Sequence, residues 1–359
     1  MIAKIERSQD KRGTSCVRAS VVDLFCGAGG LSHGFKLEGF PLAAGIDIDE
    51  ICRFPYVENN CAPFIRKDVG DLTAKTVEQL FTPAAKRVLV GCAPCQPFSV
   101  YNQKNDDPKW RLLNSFGKLI KAVRPDIVSM ENVPRLLQFK GGRTFKSFVK
   151  LLEDSGYHVA WGVLYGPDYG LAQTRSRLVL LASQLGEISL PKPTHRGPYK
   201  TVADVIGKMP VLKHGEVDGT DPLHCASKLS EVNVRRIAEA KPGGTWRDWD
   251  QKLVTACHKE ETGRGYSSVY GRMTWTEPAP TITTQFFGFG NGRFGHPEQD
   301  RGISLREGAL LQSFPASYAF VAPGERVQFK AVGRLIGNAV PVKLARVIAR
   351  SVRKHIEAN

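Results

Sequence analysis

The stretch Val21-Val22-Asp23-Leu24-Phe25-Cys26-Gly27-Ala28-Gly29-Gly30-Leu31-Ser32 decides the fold. Its first five residues are a β-rich apolar run, and the glycines behind them make a turn that opens into helical sequence. Glycine at such a turn lets a ligand approach the backbone, with the amides of a helix N-terminus just beyond. Alone the turn is ambiguous. The dinucleotide pattern G-x-G-x-x-G is not met, because Gly27 and Gly29 are followed by Ser32 where the third glycine would stand. A tight structural turn has the same look.

Working outward, further β-rich runs span Leu42 to Asp47, Arg87 to Cys92, Asp126 to Glu131, His158 to Leu164 and Leu178 to Ser183, most of them separated by helical stretches. That alternation predicts an α/β protein with a doubly wound, mostly parallel sheet. The last two runs are joined only by the loop Gly166 to Arg177, which predicts a hairpin and therefore one antiparallel element. Near Gly186 the texture shifts to Pro191, Pro193, Gly197 and Pro198, then to weak periodicity with Trp246 and Trp249. Ala331 to Gly337 leads through Asn338 and Pro341 to a helix, Val342 to Ile356, expected to rejoin the first domain. The expected organisation is a flexible basic arm (1–19), a discontinuous domain (20–185 plus 320–359) and a smaller irregular domain (186–319).

The chain of 359 residues carries 50 Lys and Arg against 35 Asp and Glu, a net charge of +15, and its 42% hydrophobic content excludes a disordered chain. Such an excess points to a polyanion, either nucleic acid or an anionic membrane surface. Residues 1–185 hold 25 basic and 18 acidic side chains, residues 186–300 hold 15 and 14, and residues 301–359 hold 10 and 3. The irregular region is therefore nearly neutral. Cys16, Cys26, Cys52, Cys61, Cys92, Cys95, Cys225 and Cys257 are spread over a chain too long to need a disulfide framework, so reduced thiols are expected. No apolar run reaches the roughly 18 residues of a spanning helix, and the polar N-terminus does not read as a signal peptide. A soluble, cytoplasmic protein is expected.

Asp47, twenty residues beyond Gly27, stands where an acid can accept hydrogen bonds from ribose hydroxyls, a spacing that fits any adenosine cofactor. Asp68 could accept from an adenine amine, with Asp71 close enough to compete; either could equally be a turn carboxylate. A dehydrogenase fits these features too. At the end of the next run, Gly91-Cys92-Ala93-Pro94-Cys95-Gln96-Pro97-Phe98-Ser99 places cysteine where open α/β sheets present chemistry. The C-x-x-C pair could be a redox dithiol, half a zinc site, or the frame of a single nucleophile; no second pair completes a tetrahedron. Glu131-Asn132-Val133 puts a carboxyl group at the same sheet edge. Gln173-Thr174-Arg175-Ser176-Arg177 sets two guanidinium groups one residue apart, on one face if the segment is extended. Singly these are a capping Glu and a basic strand face; together they form a constellation.

In these motifs the chain resembles the DNA cytosine carbon-5 methyltransferases. Asp23 to Ser32, Pro94-Cys95-Gln96, Glu131 to Val133, Gln173 to Arg177, Arg272 to Thr284 and Gly337-Asn338-Ala339-Val340-Pro341 stand in the family's order, covering about residues 20 to 350. The stretch 186–271 lacks resemblance, and there the family keeps its target-recognition region. The resemblance implies an S-adenosylmethionine-dependent methyltransferase sheet with a smaller target-recognition domain. It implies S-adenosylmethionine against Phe25, Gly27 and Gly30, with Asp47 on the ribose, Ile48 on the adenine face, Asp68 on the adenine amine, and Leu112 and Asn338 completing the pocket. Asp47 replaces the commoner Glu.

The implied reaction starts with the Cys95 thiolate adding to carbon 6 of cytosine. Glu131, carrying or sharing a proton, would bond ring nitrogen 3 and the exocyclic amine. Arg175 and Arg177 would hold the base oxygen and a neighbouring phosphate. Carbon 6 is sealed inside a stacked duplex, so the base must flip out, with Gln96 and Ser99 in the loop that closes on it. The partner implied is double-stranded DNA met by a monomer, without a membrane. A companion restriction endonuclease for the same sequence would depend on neighbouring genes. An RNA cytosine methyltransferase is the nearest alternative, and a catalytically dead scaffold is disfavoured because Cys95, Glu131, Arg175 and Arg177 are all present.

Overall fold

The computed structural model describes residues 17–94 and 110–359. Residues 1–16, most of the expected arm, and residues 95–109, with Cys95, Gln96 and Ser99, lie outside the described residues. Seven strands, β1 (Ala19–Leu24), β2 (Leu42–Asp47), β3 (Phe64–Arg66), β4 (Lys86–Gly91), β5 (Ile127–Asn132), β6 (His158–Tyr165) and β7 (Ser176–Ser183), form one sheet in the order β3-β2-β1-β4-β5-β7-β6. β1 to β5 pair in parallel, while β7 runs antiparallel to both β5 and β6. The predicted hairpin is present, and its second strand slots between β5 and β6, which leaves β6 at the edge. β3 was not foreseen, since three residues are too few to show a period.

Helices α1 (Gly30–Leu37), α2 (Arg53–Asn60), α3 (Ala74–Glu78), α4 (Arg111–Val123) and α5 (Arg143–Asp154) accompany the strands. The short helices α6 (Val202–Ile206), α7 (Glu231–Glu239), α8 (Ala256–Lys259) and α9 (Glu261–Arg264) lie in the irregular region, and α10 (Leu305–Leu311), α11 (Phe329–Asn338) and α12 (Val342–Ala358) follow. Every residue of β1 is buried because helices cover both sheet faces, and successive residues point to opposite sides. Val21 joins Leu31 and Phe35 of α1 and Leu344 and Ile348 of α12. Val22 joins Phe116 and Ile120 of α4 and Phe148 and Leu152 of α5.

The last helix thus returns to the first strand, as its apolar spacing predicts. It lies against α1 through small residues: a Cβ on Gly34 would stand 2.3 Å from the Cβ of Ala345. Glu38, at the end of α1, accepts from Arg346 Nε at 2.9 Å and Arg350 Nη2 at 2.9 Å. No described helix is long and apolar enough to cross a membrane.

Between 184 and 304 no strand is present among the described residues, only short helices and isolated bridges. Ile237, Trp246, Trp249 and Phe289 make a small core of their own. Phe286 and Phe294 instead share a core with α10 and α11. That core is fixed by a fully buried ion pair, Arg301 Nη1 to Glu307 Oε2 at 2.7 Å, with His296 beside it. Glu298 N and Gln299 N both donate to His296 Nδ1, which leaves the imidazole proton on Nε2. Burial pushes the His296 pKa down to about 4.

Candidate active site

The strand order reverses at β1 and β4, and open sheets bind ligands outside the carboxyl ends at such a point. A cavity of about 500 Å³ lies there. The eight residues expected to meet a cofactor all line it: Phe25, Gly27 and Gly30 behind β1, Asp47 at the end of β2 and Ile48 behind it, Asp68 behind β3, Leu112 on α4 and Asn338 on α11. Asp71 is not among the lining residues.

Two glycines shape this wall. Gly27 has φ +53°, and a Cβ there would meet nothing within 4 Å, so its backbone is bare to solvent space. A Cβ on Gly30 would stand 2.5 Å from the Val340 carbonyl oxygen, so the glycine turn packs directly on the Asn338–Pro341 segment. Asp47 braces the same turn: Oδ2 accepts from Gly27 N and Oδ1 from Asp49 N, each at 3.0 Å, and burial raises its pKa. Asp68 Oδ1 accepts from Gly70 N at 2.7 Å. Ile48 is 60% exposed, an apolar side chain without protein cover at the cavity wall.

Asp23 was quoted in the first motif but given no role. It also lines the cavity, although it is 1% exposed and sits in an apolar strand. Its Oδ2 accepts from Ser32 Oγ at 2.6 Å, and that hydroxyl shares a hydrogen bond with Tyr56 Oη at 3.1 Å. Asp23 Oδ1 has no partner among the described residues. Burial pushes the Asp23 pKa up to about 7. A carboxylate inside the run Val21-Val22-Asp23-Leu24 was the available signal, because burying an unpaired acid is costly unless something uses it.

Glu131 ends β5, 2% exposed. Its Oε2 accepts from Cys92 Sγ at 2.9 Å, and its Oε1 forms an ion pair with Arg177 Nε at 2.9 Å. Strand order makes this meeting possible. β7 lies beside β5 with Asn132 opposite Leu178, so Arg177, one residue earlier on β7, reaches the carboxyl end of β5. Asn132 Nδ2 donates to Ala93 O at 3.0 Å and so anchors the start of the cysteine loop. Cys95 itself lies outside the described residues.

Arg175 departs from expectation. The two guanidinium groups were expected on one face, both meeting the base and its phosphate. Arg175 is 3% exposed, and its guanidinium donates to the carbonyls of Ile282 at 3.0 Å and of Gly337 and Ala339 at 3.3 Å. The alternation rule fails because Arg175 precedes β7: its N–H donates to Gln173 O at 2.8 Å, a tight turn rather than extended chain. Arg175 therefore ties the Arg272–Thr284 and Gly337–Pro341 motifs together. Gln173 ties the Arg272–Thr284 motif to the end of α10 instead, accepting from Ile282 N at 2.9 Å and donating to Leu311 O at 3.1 Å.

The fold is that of solved methyltransferases. A prophage-encoded protein of Escherichia coli, assigned as a DNA modification methyltransferase, superposes with a TM-score of 0.73 at 22% identity, covering 94% of this chain and 99% of that one. The profile of the C-5 cytosine-specific DNA methylases matches residues 19–354, and the chain belongs to that family. It is a DNA (cytosine-5)-methyltransferase. The chain is 52% identical to the type II methylase M.HgiDII of Herpetosiphon aurantiacus over 94% of its length and 96% of the relative's. It is 32% identical to the type II methyltransferase M1.HphI of Haemophilus parahaemolyticus over 94% of its length and 88% of the relative's. DNA is thus the substrate, and the RNA and dehydrogenase readings fall away.

Proposed function

We propose that this enzyme methylates carbon 5 of a cytosine swung out of a specific duplex sequence, as a type II modification methylase that shields the site from a companion restriction endonuclease. The observation that carries the catalytic assignment is the double hold on Glu131: Cys92, which lines the cavity, donates to one oxygen, and Arg177 pairs with the other. The carboxyl group and the cavity are thereby linked through a single side chain.

The cavity's donor set suits S-adenosylmethionine. Four carboxylates, Asp23, Asp47, Asp49 and Asp68, line it against one guanidinium, Arg334, which is already paired with Asp49 at 2.6 Å. An acidic cavity in a basic protein favours a ligand carrying sulfonium and ammonium charges. Ile48, Phe25 and Leu112 offer apolar surface to an adenine, Asp47 its remaining lone pairs to a ribose, and Asp68 an acceptor to the adenine amine. Asp23 Oδ1, without a partner among the described residues, is an acceptor for the ammonium group. When bound, S-adenosylmethionine supplies an electrophilic methyl group.

Cys95 stands three residues after Cys92 in the sequence, and its thiolate adds to carbon 6 of the flipped cytosine. Glu131 holds a proton at ring nitrogen 3 and accepts from the exocyclic amine, so the charge that builds in the ring is neutralised. Arg177 keeps the carboxyl group aligned and offers its remaining N–H groups to the base oxygen. Arg175 positions the motifs around the pocket rather than the base. Carbon 5 then takes the methyl group and loses its proton as the bond to Cys95 breaks.

Residues 17–185 plus 320–359 form the catalytic domain in this reading, with residues 186–319 for target recognition; the expected arm boundary at 19 falls inside the fold, because Val17 is buried in the core and Ala19 opens β1. The part of the recognition domain beyond Arg272 is sewn to Gln173 and Arg175 by the bonds described above. Purified protein with labelled S-adenosylmethionine should methylate duplex DNA, and Cys95→Ser should abolish transfer while cofactor binding persists. Undiminished transfer in that variant would overturn the mechanism. A duplex with 5-fluorocytosine at the target should trap an adduct on Cys95, and bisulfite sequencing of plasmid from expressing cells would give the target sequence.

A further inference from the structure

Away from the crevice, Trp246, Arg247, Gln251, His258, Lys259 and Arg264 line a second cavity of about 480 Å³. Three of these side chains are cationic and no lining residue is acidic. They belong to a segment, 186–300, whose 15 basic and 14 acidic residues otherwise nearly cancel. The neighbouring acids are turned to other work or to solvent. Asp248 accepts from Thr245 N at 2.9 Å, Asp250 accepts from Lys252 N at 2.8 Å, and Glu260 and Glu261 are exposed outside the lining.

The walls are fixed. Arg247 Nη2 donates to Arg264 O at 2.9 Å, and its guanidinium carbon stands 5.5 Å from the centre of the Trp246 ring. Trp246 Nε1 donates to Tyr266 O at 2.9 Å, and its ring stacks on His258 at 4.5 Å and 4°. His258 is 6% exposed. Its Nδ1 lies 3.1 Å from Gly263 O, and because a carbonyl only accepts, that nitrogen carries the proton. Nε2 is buried and has no partner among the described residues.

We propose that this cavity seats a backbone phosphate of the DNA substrate, gripped by Arg247, Lys259 and Arg264 and closed from within by His258 Nε2. The proposal rests on the reading of this segment as the recognition region. Three cations facing one space repel one another until an anion enters, and a buried imidazole nitrogen without a partner is costly until it gains one. A phosphate relieves both. Guanidinium groups match its oxygens in pairs, and His258 Nε2, an acceptor, meets it through a bridging water that donates to both. Such a contact carries no sequence information; it pins the lobe in register so that its neutral remainder can read bases.

The test uses the full-length enzyme, a duplex bearing the methylated sequence and a scrambled duplex of equal length. Binding is followed by fluorescence anisotropy over a range of salt. For the double variant Lys259→Gln/Arg264→Gln, the slope of log Kd against log salt should fall by about 0.9, the loss of one phosphate contact, with affinity weakened alike on both duplexes. Both side chains are exposed, and an unchanged affinity for S-adenosylmethionine would report an intact fold. An unchanged slope would overturn the proposal, as would a loss confined to the target duplex, which would mark a base reader. A response of tryptophan fluorescence to inorganic phosphate that disappears in the variant while the slope stays unchanged would identify a seat for free anions and overturn it too. Wild-type protein that methylates DNA yet shares the variant's slope sinks this proposal alone. Wild-type protein that methylates no DNA sinks the functional reading and this proposal with it.

Discussion

Cys92 Sγ donates to Glu131 Oε2 at 2.9 Å, at the point where neighbouring parallel strands end. β4 and β5 pair with Gly91 opposite Met130, so the next residue on each strand is one of these two. In the proposed mechanism Glu131 must meet ring nitrogen 3 at a set angle, and the thiol fixes one oxygen while Arg177 fixes the other. Removing the donor with Cys92→Val should lower kcat about tenfold, the equivalent of one hydrogen bond to a charged group, while Cys92→Ser restores it. Single-turnover methyl transfer measures this, and a Val variant as fast as wild type would refute the alignment role.

The ion pair of Arg177 with Glu131 is almost wholly buried, with side-chain exposures of 12% and 3%. Arg177→Gln should strand a buried carboxylate and cost about 3 to 5 kcal/mol of stability. Adding Glu131→Gln should recover part of it. Urea unfolding of the two single variants and the double variant gives the coupling, and strict additivity would show that the pair is not energetically joined.

Two buried groups make stability depend on pH in opposite directions. The pKa of Asp23 is about 7 in the folded chain, above its ordinary value, so the folded state holds a proton that the unfolded state has released. Its contribution is fully present at low pH and is lost as pH rises toward 7. His296, with a folded pKa of about 4, does the reverse: its contribution is present above the ordinary histidine value and is lost as pH falls toward 4. The two oppose each other in wild type over the shared window. Asp23→Asn removes one of them, so between pH 5 and pH 8 it should gain about 3 kcal/mol relative to wild type in urea unfolding. A constant difference would mean that Asp23 titrates normally.

Gly30→Ala brings a methyl group to 2.5 Å from the Val340 carbonyl oxygen, which is backbone and cannot swing away. The variant should lose about 1 to 3 kcal/mol of stability. It should also bind S-adenosylmethionine more weakly, since Asn338 on the displaced segment lines the same cavity. Calorimetric titration and thermal unfolding would check both.

Six of the seven strands and the returning helix were legible in the sequence because each carries a long apolar period. β3 was too short for one. The placement of β7 between β5 and β6 was not legible, since a hairpin fixes which strands pair with each other and leaves open which neighbour receives them. That placement is what carries Arg177 to Glu131. All eight expected cofactor residues converge on one cavity because each sits at or just beyond a strand end or on a helix facing the crevice. Arg175 went astray because a rule for extended chain was applied to a turn. Cys92 was weighed only as the partner of Cys95, and its bond to Glu131 depends on strand pairing, which sequence spacing does not contain.

The contact of Gly34 with Ala345 has a consequence for how the molecule is made. Synthesis delivers β1 first and the helix that covers one of its faces more than 300 residues later. Until the ribosome releases that helix, Val21, Phe35 and Val88 have only part of their cover, and the nascent chain must remain unfinished, a natural client for chaperones. A fragment that stops short of residue 345 contains every reacting group named above and still lacks one wall of its own core.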